Sequence, residues 1–474
     1  MLRTKHFFAF FILFLGIVFF LSLKISNLGI RLSDTNIYFL TSFNILQGKV
    51  LYKDIFFTNL PLFPYISSFY FLITKGNLPV FYLTSAIEVS IISLLIYCIV
   101  FAKTKDKIVS VTSSFLYLFS FIVLSTSDHQ TGVFSASLLM LLSYVFLGKN
   151  KYFVSGLFAG LCLLTKIYFI PIAFSFIFFI MFAGKKGELK KLDFFKLLSF
   201  RLFYFLVGLI LISAAILIPS YIFSKGEILN NLLYSFSRLQ GLSKSHIFSF
   251  FIIHDFFLFM LLIFNLFNYK KNLLFSFISF FSIVFLFYYQ DIYYLYLNFF
   301  IPFLALSFFN FNSFIKEKLN PQRMVIPTIV VIAILINFLI YVSSYKNLQK
   351  VEGVRDFLEI IKKEKTQYLY GINDVTPALS YLTNVNLLEN IIDTNENIFK
   401  KKILNKTILT KKAIQNKTMI VSYGAYYPTM GIEEILLSEI FEKNLVLKKC
   451  NLVYSSPIKS EGMANRLNLL KCFK

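Results

Sequence analysis

The chain has 474 residues, of which 57% are hydrophobic, 19% aromatic and only 15% charged, and its formal net charge is +23. Soluble domains carry about 25% charged residues, so this composition excludes an ordinary soluble protein and predicts an integral membrane protein. The positive charge does not predict nucleic-acid binding. The lysines stand in short clusters between apolar runs, as the positive-inside rule expects of cytoplasmic loops.

Apolar segments with the length that crosses a bilayer, about twenty residues, recur over residues 1–343. The first follows two basic residues but has no small-x-small cleavage site after it, so we interpret it as a retained helix with the N-terminus inside. Placing the compact basic loops inside gives about eleven membrane-spanning helices. These cover residues 7–23, 79–101, 108–124, 132–147, 152–165, 168–183, 199–219, 251–268, 272–289, 293–310 and 324–342.

Two shorter apolar segments, 36–47 and 60–74, lie between the first two spans. The first has apolar side chains on one helix face and polar ones on the other, which is typical of a helix that lies flat at an interface. If the second crossed the membrane, the basic clusters that follow it could not all be inside. We therefore predict two interfacial helices on the exterior, within a loop over residues 24–78.

The last part of the chain, residues 344–474, has the charge content of a soluble domain. Alternating helices and strands predict a small exterior α/β domain behind the membrane domain of residues 1–343. Cys450 and Cys472 both belong to this part and can pair if it faces an oxidising compartment. The predicted elements are helices at 351–365, 376–382 and 433–442 and strands at 367–372, 418–423 and 445–453.

The segment Arg31–Pro64 places several charges directly after an apolar span. A bilayer core disfavours each Asp or Lys by roughly 2.5 to 3.5 kcal/mol, so this segment lies at a surface or lines a wet cavity. Asp34 is its first acid and is a candidate catalytic carboxylate or a helix N-cap. Lys53 and Asp54 are candidate substrate contacts or a surface ion pair.

Two further loops return polar groups to the same predicted face. Asp128 and His129 lie between two spans, where they form either a solvated turn or part of the site. Asp34 and Asp128 together can bind a divalent cation, Mg²⁺ or Mn²⁺, or divide the work of base and positioner. Lys166 follows an apolar run of about fourteen residues, which spans only about 21 Å. Its ammonium therefore meets a lipid phosphate or extends to the headgroups.

The outer loop over residues 220–250 carries more basic than acidic side chains, which suits a phosphate-bearing ligand or a solvated loop. Its candidate contacts are Arg238, Lys244 and His246. Asp291 lies among tyrosines that form either an aromatic belt or a surface on which sugars stack. The sequence contains no Walker loop, dinucleotide fingerprint, zinc spacing or nucleophile elbow, which disfavours an ATPase and a serine hydrolase.

Several residues and short motifs follow one another in a fixed order along the chain: Asp34, the GKVLYKD segment Gly48–Asp54, Pro61 and Leu62, Asp128, the segment Gly156–Lys166, and VRDFLEIIKKEK, QYLYG and PALSYL in the tail. In this order they resemble the GT-C glycosyltransferases, especially the bacterial branch similar to protein O-mannosyltransferases and lipid A aminoarabinose transferases. Thr35 stands where many relatives carry a second acid, which leaves the need for a metal open, and Asn59 stands where some carry Lys.

The resemblance implies an inverting transferase of the cytoplasmic membrane that moves a sugar from a polyprenyl-phosphate donor to an exterior lipid, glycan or protein acceptor. Asp34 would be the general base or the carboxylate that positions the acceptor, Asp128 its companion and a candidate metal ligand, and Lys166 a phosphate contact. A polyprenyl-lipid flippase or sugar-lipid transporter is the second hypothesis, and a non-catalytic partner in a cell-envelope complex is the third. Polar groups gathered at one face, rather than at the bilayer midplane, favour the enzyme.

Overall fold

The computed structural model describes residues 2–182, 191–236, 242–290, 292–319, 325–346, 350–427, 432–458 and 464–473. A helical part comes first, and all six described strands lie after residue 367. This confirms the predicted class in its coarse form, a mostly helical membrane protein with a small sheet near the C-terminus. The domain boundary at residue 344 and the exterior position of the two interfacial helices stay predictions.

The helices of the first part vary from 6 to 33 residues in length. A π-helical turn, Tyr341–Tyr345, follows the last of them. The helices are α1 (Leu2–Ile25), α2 (Thr35–Leu46), α3 (Leu62–Ile73), α4 (Leu78–Thr104), α5 (Lys107–Leu118), α6 (Phe121–Thr126), α7 (Val133–Gly148), α8 (Tyr152–Thr165), α9 (Ile170–Phe182), α10 (Lys191–Phe223), α11 (Glu227–Phe236), α12 (Lys244–His254), α13 (Phe256–Phe267), α14 (Leu273–Tyr288), α15 (Ile301–Leu319) and α16 (Val325–Ile340).

Within the described ranges, four helices are long and apolar enough to cross a membrane, and a fifth span results if α12 and α13 are counted together. The four are α1, α4, α10 and α16, and six shorter apolar helices accompany them. The predicted number of about eleven spans therefore stays a prediction.

A buried carboxylate explains two breaks in the predicted spans. Asp255 accepts hydrogen bonds from the backbone N–H groups of Phe121 (3.0 Å) and Ile122 (2.9 Å) and from the Ser120 hydroxyl (2.9 Å). It thereby satisfies the first N–H groups of α6, so the predicted span 108–124 divides into α5 and α6. Asp255 also separates α12 from α13, which meet at an angle of 107°. The predicted loop 220–250 is wrong in part, because α11 and the start of α12 lie in it.

The last part of the chain folds into one sheet of strand order β2-β1-β3-β6-β5, with β4 paired to the second half of β3. β1, β2 and β3 run parallel, and β4 and β6 are antiparallel to β3. The elements are α17 (Val354–Lys363), β1 (Tyr368–Gly371), α18 (Thr376–Thr383), β2 (Asn386–Leu387), α19 (Glu396–Lys400), α20 (Lys406–Gln415), β3 (Thr418–Tyr427), β4 (Ile432–Leu436), α21 (Lys443–Lys449), β5 (Asn451–Pro457) and β6 (Arg466–Lys471).

Two predictions for this part were wrong. Residues 433–442 have helical spacing, but Ile432–Leu436 pairs with Tyr423–Tyr427 as an antiparallel strand, which gives its backbone groups partners. Residues 445–453 were predicted as a strand, whereas α21 fills most of that range and the strand begins at Asn451. Cys450 and Cys472, next to the ends of β5 and β6, form a disulfide.

Candidate functional site

A cavity of about 600 Å³ lies between the loops of the helical part and one edge of the sheet. The helical part contributes the loop before α2, the loop between α6 and α7, and the tyrosines Tyr293, Tyr294 and Tyr296. The sheet part contributes the segments after β1 and before α19. The polar lining of the cavity consists of Arg31, Ser33, Asp34, Ser125, Thr126, His129, Thr131, Asn373, Asp374, Thr394, Asn395, Glu396, Asn397, Tyr423 and Ser438.

Asp34 occupies the N-cap position of α2, and its side chain is exposed at the cavity. The side chain of Asp34 makes no capping hydrogen bond. Instead the hydroxyl of Ser33 accepts from the backbone N–H of Thr35 at 3.1 Å. The predicted structural role of Asp34 as a side-chain N-cap is therefore wrong, and its carboxylate points into the cavity rather than at the helix end.

The start of α2 is fixed by the loop before it and by two distant segments, α4 and the segment after β1. The backbone N–H of Ser33 donates to the carbonyl of Asp374 at 3.0 Å. Asn36, which is fully buried, donates to the carbonyls of Arg31 and Asp374 and accepts from the hydroxyl of Tyr82. Because these groups have no access to water, their hydrogen bonds hold the backbone around Asp34 in one position.

Asp128 is held by two cations, of which Arg31 also lines the cavity and Lys24 does not. Its carboxylate lies 2.6 Å from the ammonium of Lys24 and 2.9 Å from the guanidinium of Arg31. Burial opposes the charge of Asp128, but Lys24 and Arg31 hold the pKa of Asp128 below its usual value. Lys24 also donates to the hydroxyl of Tyr341 at 2.9 Å. Asp128 does not line the cavity that Asp34 lines.

His129 does line the cavity, and it joins the two loops that the sequence analysis singled out. Its Nδ1 lies 2.7 Å from the hydroxyl oxygen of Ser33, the residue before Asp34. Burial, with help from the nearby charges of Arg31 and Lys24, lowers the pKa of His129 to about 4. The imidazole is therefore neutral near pH 7 and acts there as a hydrogen-bonding group.

Asp34 and Asp128 do not fit a shared metal site, because both oxygens of Asp128 face buried cations. Among the residues that the structure describes, no three His, Cys, Asp or Glu side chains form a metal-binding group.

Three predicted contacts lie away from the cavity. Lys166 is buried and donates to the hydroxyl of Tyr38 at 2.8 Å, with its ammonium 5.1 Å from the centre of that ring. Lys53 and Asp54 form an exposed pair 4.0 Å apart, and Asp54 accepts from the backbone N–H of Val50. Lys166 thus packs against α2, and Lys53 and Asp54 lie at the surface of the loop that follows it. Their predicted contacts with substrate stay predictions.

Four predicted contacts remain: His246, Lys244, Arg238 and Asp291. His246 lies 2.7 Å from the hydroxyl of Tyr294, which lines the cavity. Lys244 is the first residue of α12. Arg238 and Asp291 lie outside the described residues.

The tail supplies site residues that the sequence analysis missed. Tyr423 donates to the carboxylate of Asp374. Burial, followed by the charges of Asp374, Asp34 and Glu396, raises the pKa of Tyr423 well above its usual value. A signal was present, since the polar run around Asp374 follows directly after a parallel strand, where ligands often bind. The cavity thus combines carboxylates, a neutral imidazole, amides and phenols, a set that suits a polyhydroxylated ligand.

The comparisons with known proteins concern family and fold. A family described as dolichyl-phosphate-mannose-protein mannosyltransferase matches residues 59–218, about a third of the chain. No curated protein matches the chain.

Solved structures match over nearly the whole chain. The apo structure of ArnT from Cupriavidus metallidurans is 10% identical, with a TM-score of 0.64, and covers 96% of this chain and 97% of its own. The structure of the same protein bound to undecaprenyl phosphate is 9% identical, with a TM-score of 0.62, and the match covers 96% of this chain and 97% of that one. The Archaeoglobus fulgidus oligosaccharyltransferase, in complex with Zn and sulfate, is 14% identical, with a TM-score of 0.52, and the match covers 94% of this chain and 78% of that one. These matches confirm the resemblance to GT-C glycosyltransferases and a multi-pass membrane fold.

Proposed function

We propose that this chain is an inverting glycosyltransferase that moves a sugar from a polyprenyl-phosphate carrier to a hydroxyl of a lipid, glycan or protein acceptor. The observation that carries the proposal is the exposed carboxylate of Asp34 in a cavity of about 600 Å³, within a GT-C fold. The matching family is described by its dolichyl-phosphate-mannose donor, and one solved neighbour is bound to undecaprenyl phosphate, and both support a polyprenyl-phosphate donor for this chain.

In the proposed reaction, the acceptor hydroxyl donates its proton to Asp34 while its oxygen attacks the anomeric carbon. The bond from that carbon to the phosphate oxygen breaks, and the electron pair leaves with the lipid phosphate. A single in-line displacement inverts the anomeric centre.

The other lining residues have supporting roles in this proposal. Arg31 lines the cavity while its guanidinium also pairs with Asp128, and we assign to it the stabilisation of the charge that develops on the leaving phosphate. Lys166, predicted for that role from sequence, does not line the cavity. Neutral His129 and the asparagines of the tail can hydrogen-bond sugar hydroxyls, and the cavity tyrosines offer faces for stacking.

The test is transfer by purified protein in liposomes, with a panel of radiolabelled polyprenyl-phosphate sugars as donors and an envelope extract as acceptor source. Asp34→Asn keeps the shape of the side chain but removes the base, so we expect the rate to fall by about 10²- to 10⁴-fold at unchanged thermal stability. Glu359→Gln is the matched control, because Glu359 is an exposed acid of α17 that does not line the cavity. Its rate should equal that of the wild type.

Two results would contradict the proposal. Full activity of Asp34→Asn would remove Asp34 from its assigned role. Absence of transfer by the wild type with every donor would favour the transporter or the assembly partner, neither of which performs this reaction.

A further inference from the structure

A second cavity, of about 410 Å³, lies at the opposite ends of α4 and α7 from the Asp34 cavity. Near the N-terminus of α4, Tyr82 contacts Asn36 beside Asp34, whereas Lys103 near its C-terminus lines the second cavity. The 27 residues of α4 extend about 40 Å. The two cavities therefore open at opposite ends of the helical part, and the second takes no part in the proposed reaction.

The walls of the second cavity are mostly apolar, while its charged lining is basic. Lys103, Lys149 and Lys271 come from three separate segments, and the described lining contains no Asp or Glu. Glu317 pairs with Lys271. No carboxylate of the described residues lies within 4.0 Å of Lys103 or Lys149, so neither of these exposed lysines is paired with an acid in the part of the chain that the structure describes.

Aromatic rings, rather than an acid, hold the ammonium of Lys103. It donates to the hydroxyl of Tyr144 and lies 4.8 Å from the centre of that ring and 5.2 Å from the centre of Phe309. A ring stabilises a cation without cancelling its charge. Lys103 has three N–H donors, and one is used by Tyr144, so the others can bind an anion at the cavity mouth.

We infer that this cavity binds an anionic phospholipid, with an acyl chain against the apolar wall and the phosphate between Lys103 and Lys149. The acyl chain of such a lipid would cover the apolar wall, and its negative charge would be balanced by the two lysines. A soluble phosphate compound leaves the apolar wall uncovered, and a zwitterionic lipid gains less from the two lysines. The inference does not depend on the proposed transferase activity.

The experiment is native mass spectrometry of the purified full-length protein with phosphatidylglycerol, phosphatidylcholine of the same acyl chains, or glycerol phosphate. We expect the wild type to retain phosphatidylglycerol in preference to phosphatidylcholine and not to retain glycerol phosphate. Each lysine near an anionic group contributes about fivefold, so Lys103→Gln with Lys149→Gln should reduce the preference by about tenfold or more.

Two further proteins separate local binding from general charge. Lys107→Gln with Lys318→Gln removes the same charge from the same end of the helices but does not touch the cavity lining, so its preference should match the wild type. Gly148→Leu keeps every lysine. A Cβ at Gly148, which lines the cavity, would meet no atom within 4 Å, so the Leu side chain can occupy that space and should lower lipid retention.

The inference is overturned by any of three results. These are an unchanged preference in the Lys103 and Lys149 double variant, an equal loss in the control double variant, and retention of glycerol phosphate as strong as that of phosphatidylglycerol.

Discussion

Two buried cations share the carboxylate of Asp128, and this sharing determines what its loss should do. The side chains of Lys24 and Arg31 are 1% and 5% exposed, and each lies within 2.9 Å of a different oxygen of Asp128. Asp128→Asn would leave two buried positive charges without their counter-charge. We expect the free energy of unfolding to fall by about 3 to 5 kcal/mol, measured by thermal unfolding in detergent.

A matched exposed pair provides the control for Asp128. Glu389 lies 3.1 Å from Lys412, but the two side chains are 45% and 42% exposed, so Glu389→Gln should cost less than about 1 kcal/mol. The opposite pattern is equally informative. If Asp128→Asn keeps the stability of the wild type but loses transfer, the catalytic role predicted from sequence would account for Asp128 better than an ion-pair role.

At the scale of single residues, the sequence located the site in part. Asp34 and His129 could be predicted, because an ionisable side chain directly after an apolar span avoids the bilayer core and lies at a surface or in a wet cavity. The partners of Asp128 could not, since Lys24 is 104 positions away at the end of α1 and its direction is set by packing. Tyr423 and Glu396 were missed for the same reason. Their proximity to Asp34 exists only after the tail docks on α2.

Among the helices, α8 and α10 pack with little room between their backbones. A Cβ at Gly156 would lie 2.0 Å from the carbonyl oxygen of Phe205, and one at Gly208 would lie 2.2 Å from that of Phe153. Backbone atoms cannot turn aside as a flexible side chain can. We therefore expect Gly156→Ala to force the helices apart and to cost about 1 to 3 kcal/mol, seen as a lower unfolding temperature.

The control for Gly156 lies on the neighbouring helix. A Cβ at Gly148, the last residue of α7, meets nothing within 4 Å, so Gly148→Ala should leave the unfolding temperature unchanged. If both variants melt like the wild type, the close approach of α8 and α10 would be refuted.

Element boundaries followed the sequence where an apolar run is continuous, and departed from it where a group from a distant part of the chain intervenes. The predicted span 79–101 corresponds to α4, because a continuous apolar run needs no partner to satisfy its backbone. The span 108–124 is divided because Asp255, more than 130 positions away, accepts from the first N–H groups of α6. No pattern within residues 108–124 encodes that carboxylate.

The whole molecule has a basic end and a site end. The ends of the helices around the second cavity carry Lys103, Lys105, Lys107, Lys149, Lys151, Lys270, Lys271, Lys316 and Lys318. The other end carries the Asp34 cavity and the sheet with its disulfide. Short basic loops stay in the cytoplasm, and disulfides persist in oxidising compartments, so both arguments give the same predicted orientation.

Cysteine labelling in spheroplasts tests this orientation directly. Cys98 and Cys162 are first replaced by Ser, which leaves only the Cys450–Cys472 disulfide. Lys53→Cys, at a position whose side chain is 42% exposed on the site end, should react with a membrane-impermeant maleimide in intact spheroplasts. Lys318→Cys at the basic end should react only after permeabilisation, and the parent protein should react from outside only after reduction. The reverse pattern would place the cavity in the cytoplasm, where a transferase using an exterior acceptor could not work.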